Sequence, residues 1–269
     1  MNLVHAWRCL LGVLIRESLR FVHQRERFLA ALVRPLVWLL VFAAGFRSAL
    51  GVSIIPPYET YITYEVYIIP GLISMIQLFN GMQSSLSMVY DREMGSMRTL
   101  LVSPLPRWYL LLCKLLAGTL VSILQVYTFL LIASAIGISM TPMGYVYLLP
   151  ALLVNGIMLG AFAMLLSSVI KQLENFAGIM NFVIFPMFFL SSALYPLCKM
   201  QESSHFLYRL CTLNPFTYAV ELTRFALYER ANAEAAVYTV LALTIFLGAS
   251  IYAYDPARGI MSRKGIPGG

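Results

Sequence analysis

Residues 91–106 read DREMGSMRTLLVSPLP, a charged amphipathic stretch set between two long apolar runs. It is too polar for lipid and longer than a turn requires. Its neighbours decide the fold class. A helix needs about 20 apolar residues to cross a hydrocarbon core of roughly 30 Å. Six segments of the chain qualify, at about 29–50, 66–89, 108–136, 145–170, 175–196 and 235–254. Backbone amides in lipid must be bonded within their own segment, so these runs are expected as helices rather than open strands.

Composition agrees. The 269 residues are 60% hydrophobic and 12% charged, with a mean hydropathy of +0.78, whereas soluble domains carry roughly 25% charged residues. The expected fold is an all-α integral membrane protein with six transmembrane helices, forming one domain over residues 1–269. No cleavable signal peptide is expected, because Arg16, Arg20, Arg25 and Arg27 interrupt the first apolar stretch.

Orientation follows from the flanking cations. Of the 19 Lys and Arg, five (Arg47, Lys199, Arg209, Arg224 and Arg230) fall on the side opposite the N-terminus. The other fourteen share the N-terminal side, which places both termini in the cytosol. The net charge of +7 is accounted for by this asymmetry and by anionic headgroups, and gives no support for nucleic-acid binding.

Residues 1–27 are apolar but interrupted. Arg16 and Arg20 lie one turn apart, His23 and Arg27 extend that polar stripe, and Leu3, Trp7, Leu10, Leu14 and Val22 are available for an apolar one. This is the pattern of an interface helix lying in the membrane plane, with Trp7 at the headgroups; an ordinary cytosolic helix packed on the spans is the plainer reading. Arg34 and Pro35 then open the first span, with Arg34 placed to snorkel. At the other face, residues 197–234 are too polar to span yet carry apolar residues at helical spacing. One or two short re-entrant or interfacial helices are expected there, folded back on the spans. Cys198 and Cys211 both lie in that segment and are candidates for a disulfide in an oxidising compartment, although spacing alone does not show that they meet.

Catalytic patterns are missing. The chain has no GxxxxGK[ST] loop, no HExxH and no CxxC, and its histidines are His5, His23 and His205. All twelve acids sit in flanks or loops, whereas proton-driven pumps place ionisable groups inside spans. The spans instead hold amides and hydroxyls. Gln77, Asn80, Ser84 and Ser87 recur on one face of the second span, and Asn181 lies beside Phe182, Phe185, Phe188 and Phe189 in the fifth. Interhelical hydrogen bonding is the simpler role for any one of them. The stripe as a whole, with Asn181 and Phe185, also fits a polar and aromatic substrate path.

Residues 91–118, DREMGSMRTLLVSPLPRWYLLLCKLLAG, closely resemble the signature of the ABC transporter type-2 permease family. Asp91, Arg92, Glu93, Gly95, Arg98, Leu100, Leu101, Ser103, Pro104, Pro106 and Lys114 fit its pattern. LNPFTYAVELTRFAL at 213–227 resembles the family's external stretch before the last span, and RPLVWLLVFAAGF at 34–46 resembles its entry into the first. The resemblance implies a six-span permease that pairs with a second copy and binds one ATP-binding cassette subunit per half. ATP and magnesium would be held by that partner, with no cofactor on this chain. It further implies that 91–106 is the coupling helix. Arg92, Glu93, Gly95, Met97, Arg98, Leu101, Ser103 and Pro104 would meet the ATPase, and Pro104 and Pro106 would set the exit angle.

The first expectation is therefore a homodimeric exporter permease of the inner membrane, of the drug, nodulation-oligosaccharide or quinoprotein-alcohol-oxidation-associated kind. A non-transporting mechanotransmission or scaffold protein that signals through a bound ATPase is the alternative. Proteins of that kind carry a large external domain, and no such domain is present in these residues. An enzyme acting within the membrane ranks third, for want of a catalytic constellation.

Overall fold

The computed structural model describes residues 3–23, 25–46, 56–58, 62–93, 106–138, 140–170 and 173–253. Among these residues every element is an α-helix. The helices are α1 (Leu3–His23), α2 (Arg25–Phe46), α3 (Tyr64–Glu93), α4 (Arg107–Ala135), α5 (Pro142–Val169) and α6 (Leu173–Phe189). Three short helices follow, α7 (Leu197–Ser203), α8 (His205–Leu213) and α9 (Pro215–Leu227), and α10 (Ala233–Ala253) closes the described chain.

Local chemistry sets the helix starts. Thr141 caps α5 by accepting from the Gly144 amide at 3.3 Å, with Pro142 at the first helical position, where a missing amide hydrogen costs nothing. Asn214 and Pro215 repeat the device at α9, the Asn214 side chain accepting from the Phe216 amide at 3.0 Å. Ser204 caps α8. Gly137, at φ +100°, lets the chain leave α4.

Among the described residues, three helices are long and apolar enough to cross a membrane: α4 over Trp108–Ala135, α5 and α10. Helices α2 and α6 contain shorter apolar stretches, Ala31–Val41 and Gly178–Phe189. In α3 the length is there, at 30 residues, but amides, hydroxyls and its charged last turn dilute the hydropathy.

α3 and α5 form the centre. α3 packs on α2, α4, α5, α6 and α9, and α5 packs on α3, α4, α9 and α10. Tyr67, Ile68, Ile69, Leu72, Ile73, Met75 and Leu78 are consequently buried on every side of α3. A helix that carries apolar residues on every side belongs in such a position. Small residues bring the axes together. A Cβ on Gly81 would stand 3.2 Å from the Gly160 backbone on α5, and one on Gly71 would stand 2.7 Å from Ala193. Close approach through small residues replaces the hydrophobic drive that lipid does not supply.

Several expectations shift. α1 ends at His23, so Arg25 and Arg27 belong to α2 rather than to the helix expected over 1–27. Pro35 lies inside α2 instead of opening it, a placement tolerated where neighbouring helices cover the freed carbonyl. Arg34 stacks its guanidinium 3.8 Å from the Phe79 ring centre, a cation–π contact beyond the snorkelling anticipated. The fifth apolar run stops at Phe189 rather than 196, and residues 197–234 hold three short helices rather than one or two.

Gly71→Ala is expected to lower thermal stability of the detergent-solubilised protein by about 1–3 kcal/mol, the usual cost of overpacking. Gly248→Ala, where nothing lies within 4 Å of the added Cβ, should be neutral or slightly stabilising. Equal melting temperatures for the two variants would refute the close contact of Gly71 with the 190–194 turn.

Candidate functional site

The polar stripe of α3 faces the interior of the protomer. Gln77 is fully buried and donates from Nε2 to the Leu152 carbonyl of α5 at 2.7 Å. Asn80 donates to Gln125 of α4. Ser87 donates to the Ser84 carbonyl at 2.7 Å, and Ser84 sits against Gly118. Gln77 and Ser84, with Gly81, Thr119, Gly156, Gly160 and their neighbours, surround a void of only about 10 Å³. That is scarcely the space of one water. Within one protomer, then, this junction of α3, α4 and α5 is hydrogen-bonded packing.

A second polar centre ties the 190–227 region to α3. Arg224 of α9 is 2% exposed. Its guanidinium pairs with Glu221 one turn earlier, donates to the Ser192 carbonyl at 2.8 Å, and lies 4.2 Å from the Tyr67 ring centre. Tyr67 donates to the same Ser192 carbonyl at 3.0 Å, and Tyr64 donates to the Leu194 carbonyl at 3.0 Å. Tyr58, from the loop before α3, stacks edge-on to Tyr228 and tilts against Tyr67. Burial pushes the Tyr58 phenol above its ordinary range, so it remains neutral beside the cation.

Two asparagines complete the attachment. Asn155 of α5 donates to the Ala219 carbonyl at 2.8 Å and to Thr223 Oγ1 at 2.9 Å. Asn214 donates to the Met187 and Leu190 carbonyls at 2.8 and 2.6 Å. This satisfies the free carbonyls at the end of α6 while Asn214 Oδ1 caps α9. Sequence reasoning gave Arg224 no part beyond the charge count. The available signal was an acid and a base three residues apart in a helix whose flanking residues, Val220, Phe225 and Leu227, are apolar. Such a pair is either solvated or locked inside.

α6 presents the contrasting surface. Among the helices it packs chiefly on α3. Asn181 and Phe185 are exposed one turn apart, with Phe182 (78% exposed) and Phe189 beside them. The exposed side of α2 adds Val33, Val37, Leu40 and Val41. Trp38 joins the two helices, its ring 5.5 Å from Phe188 and 5.8 Å from Phe189.

Among the other candidates, Trp7 and Arg16 are exposed on α1, and Arg20 lies on the same helix with its side chain outside the described set. Trp7, Leu11, Ile15 and Leu19 form an outward apolar row four residues apart. The observed row replaces the anticipated stripe through Leu10 and Leu14, which are half-buried. Arg92 and Glu93 occupy the last turn of α3; Gly95, Met97, Arg98, Leu101, Ser103 and Pro104 lie outside the described residues. Cys198 is exposed on α7, Cys211 is buried on α8, and both are free thiols.

The model of the ABC-2 type transporter family matches residues 9–228. The putative transport permease ycf38 of Cyanophora paradoxa is 28% identical over 224 residues, covering 79% of this chain and 72% of that protein. Its namesake in Pyropia yezoensis is 27% identical over 227 residues, covering 82% and 74%. The probable multidrug ABC transporter permease YbhR of Escherichia coli K12 is 27% identical over 211 residues, covering 73% of this chain and 54% of that protein.

Glu221→Gln leaves a buried guanidinium without its counter-charge. A loss of about 3 kcal/mol is expected, together with faster proteolysis within 197–234. Combining it with Arg224→Met should restore much of that loss, because both charges are then gone. A single variant as stable as the parent would show that the pair contributes nothing to holding α9 on α3.

Proposed function

The chain belongs to the ABC-2 type transporter family, and on that footing we propose that it is the membrane permease of an ATP-driven exporter, working as a homodimer. The observation that carries this reading is a family match running from α1 through the spans to the end of α9. A matching pattern confined to 91–106 would not do so. The membrane part consists of six crossing helices, α2, α3, α4, α5, α6 and α10. Both termini face the cytosol of a bacterial inner membrane, an orientation that the cation asymmetry supports. ATP and magnesium belong to a separate cassette subunit, which uses 91–106 as its handle.

The dimer face in this proposal is the outward side of α6 with that of α2. A helix crossing lipid gains nothing by exposing an amide to it, and Asn181 is exposed there. Two copies meeting along this side bring Asn181 and Phe185 from each to a shared axis. A substrate path between the protomers would therefore be aromatic with isolated amides, a lining suited to amphiphilic cargo. The α3 residues Gln77, Asn80 and Ser84 stand behind that surface, where repacking of the α3–α4–α5 junction would alter its width. α1 would lie along the cytosolic headgroups through Trp7, Leu11, Ile15 and Leu19, with Arg16 and Arg20 among the phosphates.

Two measurements test the proposal. Glu93→Ala, or Gly95 replaced by a bulky residue, should lower transport and uncouple hydrolysis by a co-expressed cassette subunit while membrane insertion is unchanged. Normal transport in these variants would remove the coupling assignment. Phe182→Cys should form an oxidised dimer in membranes, whereas Val237→Cys on α10 should not; the opposite pattern would move the dimer face to α10.

A further inference from the structure

A cleft of about 420 Å³ opens between α5, α9 and α10, at the end of the bundle that carries α7–α9. Its size falls within the roughly 300–1,000 Å³ of small-molecule sites. Pro150 and Val154 of α5, Leu222 and Ala226 of α9, and Ala236 and Val240 of α10 make its walls. The rim is polar: Glu229, Arg230 and Asn232, from the connection into α10.

Three observations restrict what can occupy it. The first is access. Val146 and Leu149 on α5 and Val237 and Leu241 on α10 are exposed apolar side chains, each next in sequence to a residue that lines the cleft, and both helices are long and apolar enough to cross a membrane. Acyl chains cover such flanks, so the cleft opens towards lipid. The second is charge. Glu229 and Arg230 are exposed neighbours of opposite sign, Glu234 adds a carboxylate in the first turn of α10, and the α10 N-terminus supplies a positive helix end. Two carboxylates and one guanidinium disfavour a purely anionic headgroup and suit one that carries both a phosphate and an ammonium.

The third observation is conformational. Glu229 holds φ +58° at the end of α9, a left-handed position where glycine or asparagine is normally found. Glycine would suit that backbone better, and the side chain that stands there is a carboxylate on the rim of the cleft.

We propose that this cleft is a binding site for one zwitterionic phospholipid. An acyl chain fills the apolar slot, the phosphate meets Arg230 and the first turn of α10, and the ammonium meets Glu229. The site depends on α5 and α10 lying in a bilayer and not on the export reading; a loss of lipid binding and a loss of coupling are separate results. The lipid fills the gap between the Arg224-anchored α9 and the peripheral α10, joining α10 more firmly to the bundle.

The test uses the full chain purified in detergent, mixed with equal phosphatidylethanolamine and phosphatidylglycerol, and examined by native mass spectrometry. The parent should retain one phosphatidylethanolamine per protomer. Ala236→Trp, which fills the slot, should weaken retention by about tenfold, while Val237→Trp on the adjacent lipid-facing position should not. If Ala236→Trp fails to fold, Val240→Phe, at a half-exposed wall position, replaces it. Glu229→Gly with Arg230→Gln should keep one lipid but abolish the preference between the two headgroups. Equal retention by the Ala236 and Val237 variants, detergent alone in the parent, or no headgroup preference in the parent would each overturn the proposal.

Discussion

Arg224 brings a full charge into a place that has almost no water, and the arrangement of the 190–227 region follows from keeping that charge satisfied. One carboxylate, one backbone carbonyl and one aromatic face are supplied by three separate parts of the chain: α9 itself, the turn after α6, and α3. Moving any of them leaves a guanidinium in a medium where an unpaired charge is costly. Asn155 and Asn214 extend the same logic to neutral groups, each donating twice to acceptors on another element. The short helices α8 and α9 are too small to be stable alone; they are held because the bundle's free carbonyls and this buried cation need what they present.

Below this centre the bundle is held by a different means. The Gly81–Gly160 approach and the Gly156–Thr119 contact put helix backbones side by side, so dispersion and a few amide bonds replace hydrophobic burial. Polar residues in the interior are consequently of two kinds. Gln77 and Asn155 join helices within the protomer, whereas Asn181 faces outward from α6 with no helix among the described residues covering it.

That difference marks the limit of what could be read from the sequence. The apolar runs at 108–136, 145–170 and 235–254 correspond to α4, α5 and α10, because length and composition suffice to identify such helices. The fold-back of 197–234 was also legible, since its polarity forbade a crossing and its apolar periodicity forbade solution. Gln77 and Asn181 look alike in sequence: each is an amide in an apolar run. Their opposite exposures depend on how each helix is rotated, which periodicity leaves open wherever a helix is apolar all round. Arg224 was hidden for a related reason. Apart from Glu221, its partners lie 32 residues away at Ser192 and still further away at Tyr67, separations that no local pattern records. The end of α6 at Phe189 likewise depends on Asn214, whose side chain binds the Leu190 carbonyl from 24 residues beyond it.

α3 connects the two ends of this design. Its 30 residues make a rod of about 45 Å, rooted at one end by Tyr64 and Tyr67 and ending at the other in the charged turn that contains Glu93. The rod is not uniform. Pro70 lies inside it and removes one backbone bond; Ser74 returns a hydroxyl bond to the Pro70 carbonyl at 3.0 Å, a contact that loosens rather than reinforces helices. Gly71, beside this weak point, is wedged on Ala193. A displacement applied at Glu93 would therefore travel through the well-bonded length from Gln77 onward and be taken up near Pro70, one turn from the Arg224 centre. Moving α3 relative to α9 at this point therefore changes the Gly71–Ala193 contact, the Tyr67–Arg224 stacking and the Ser74–Thr223 hydroxyl contact together.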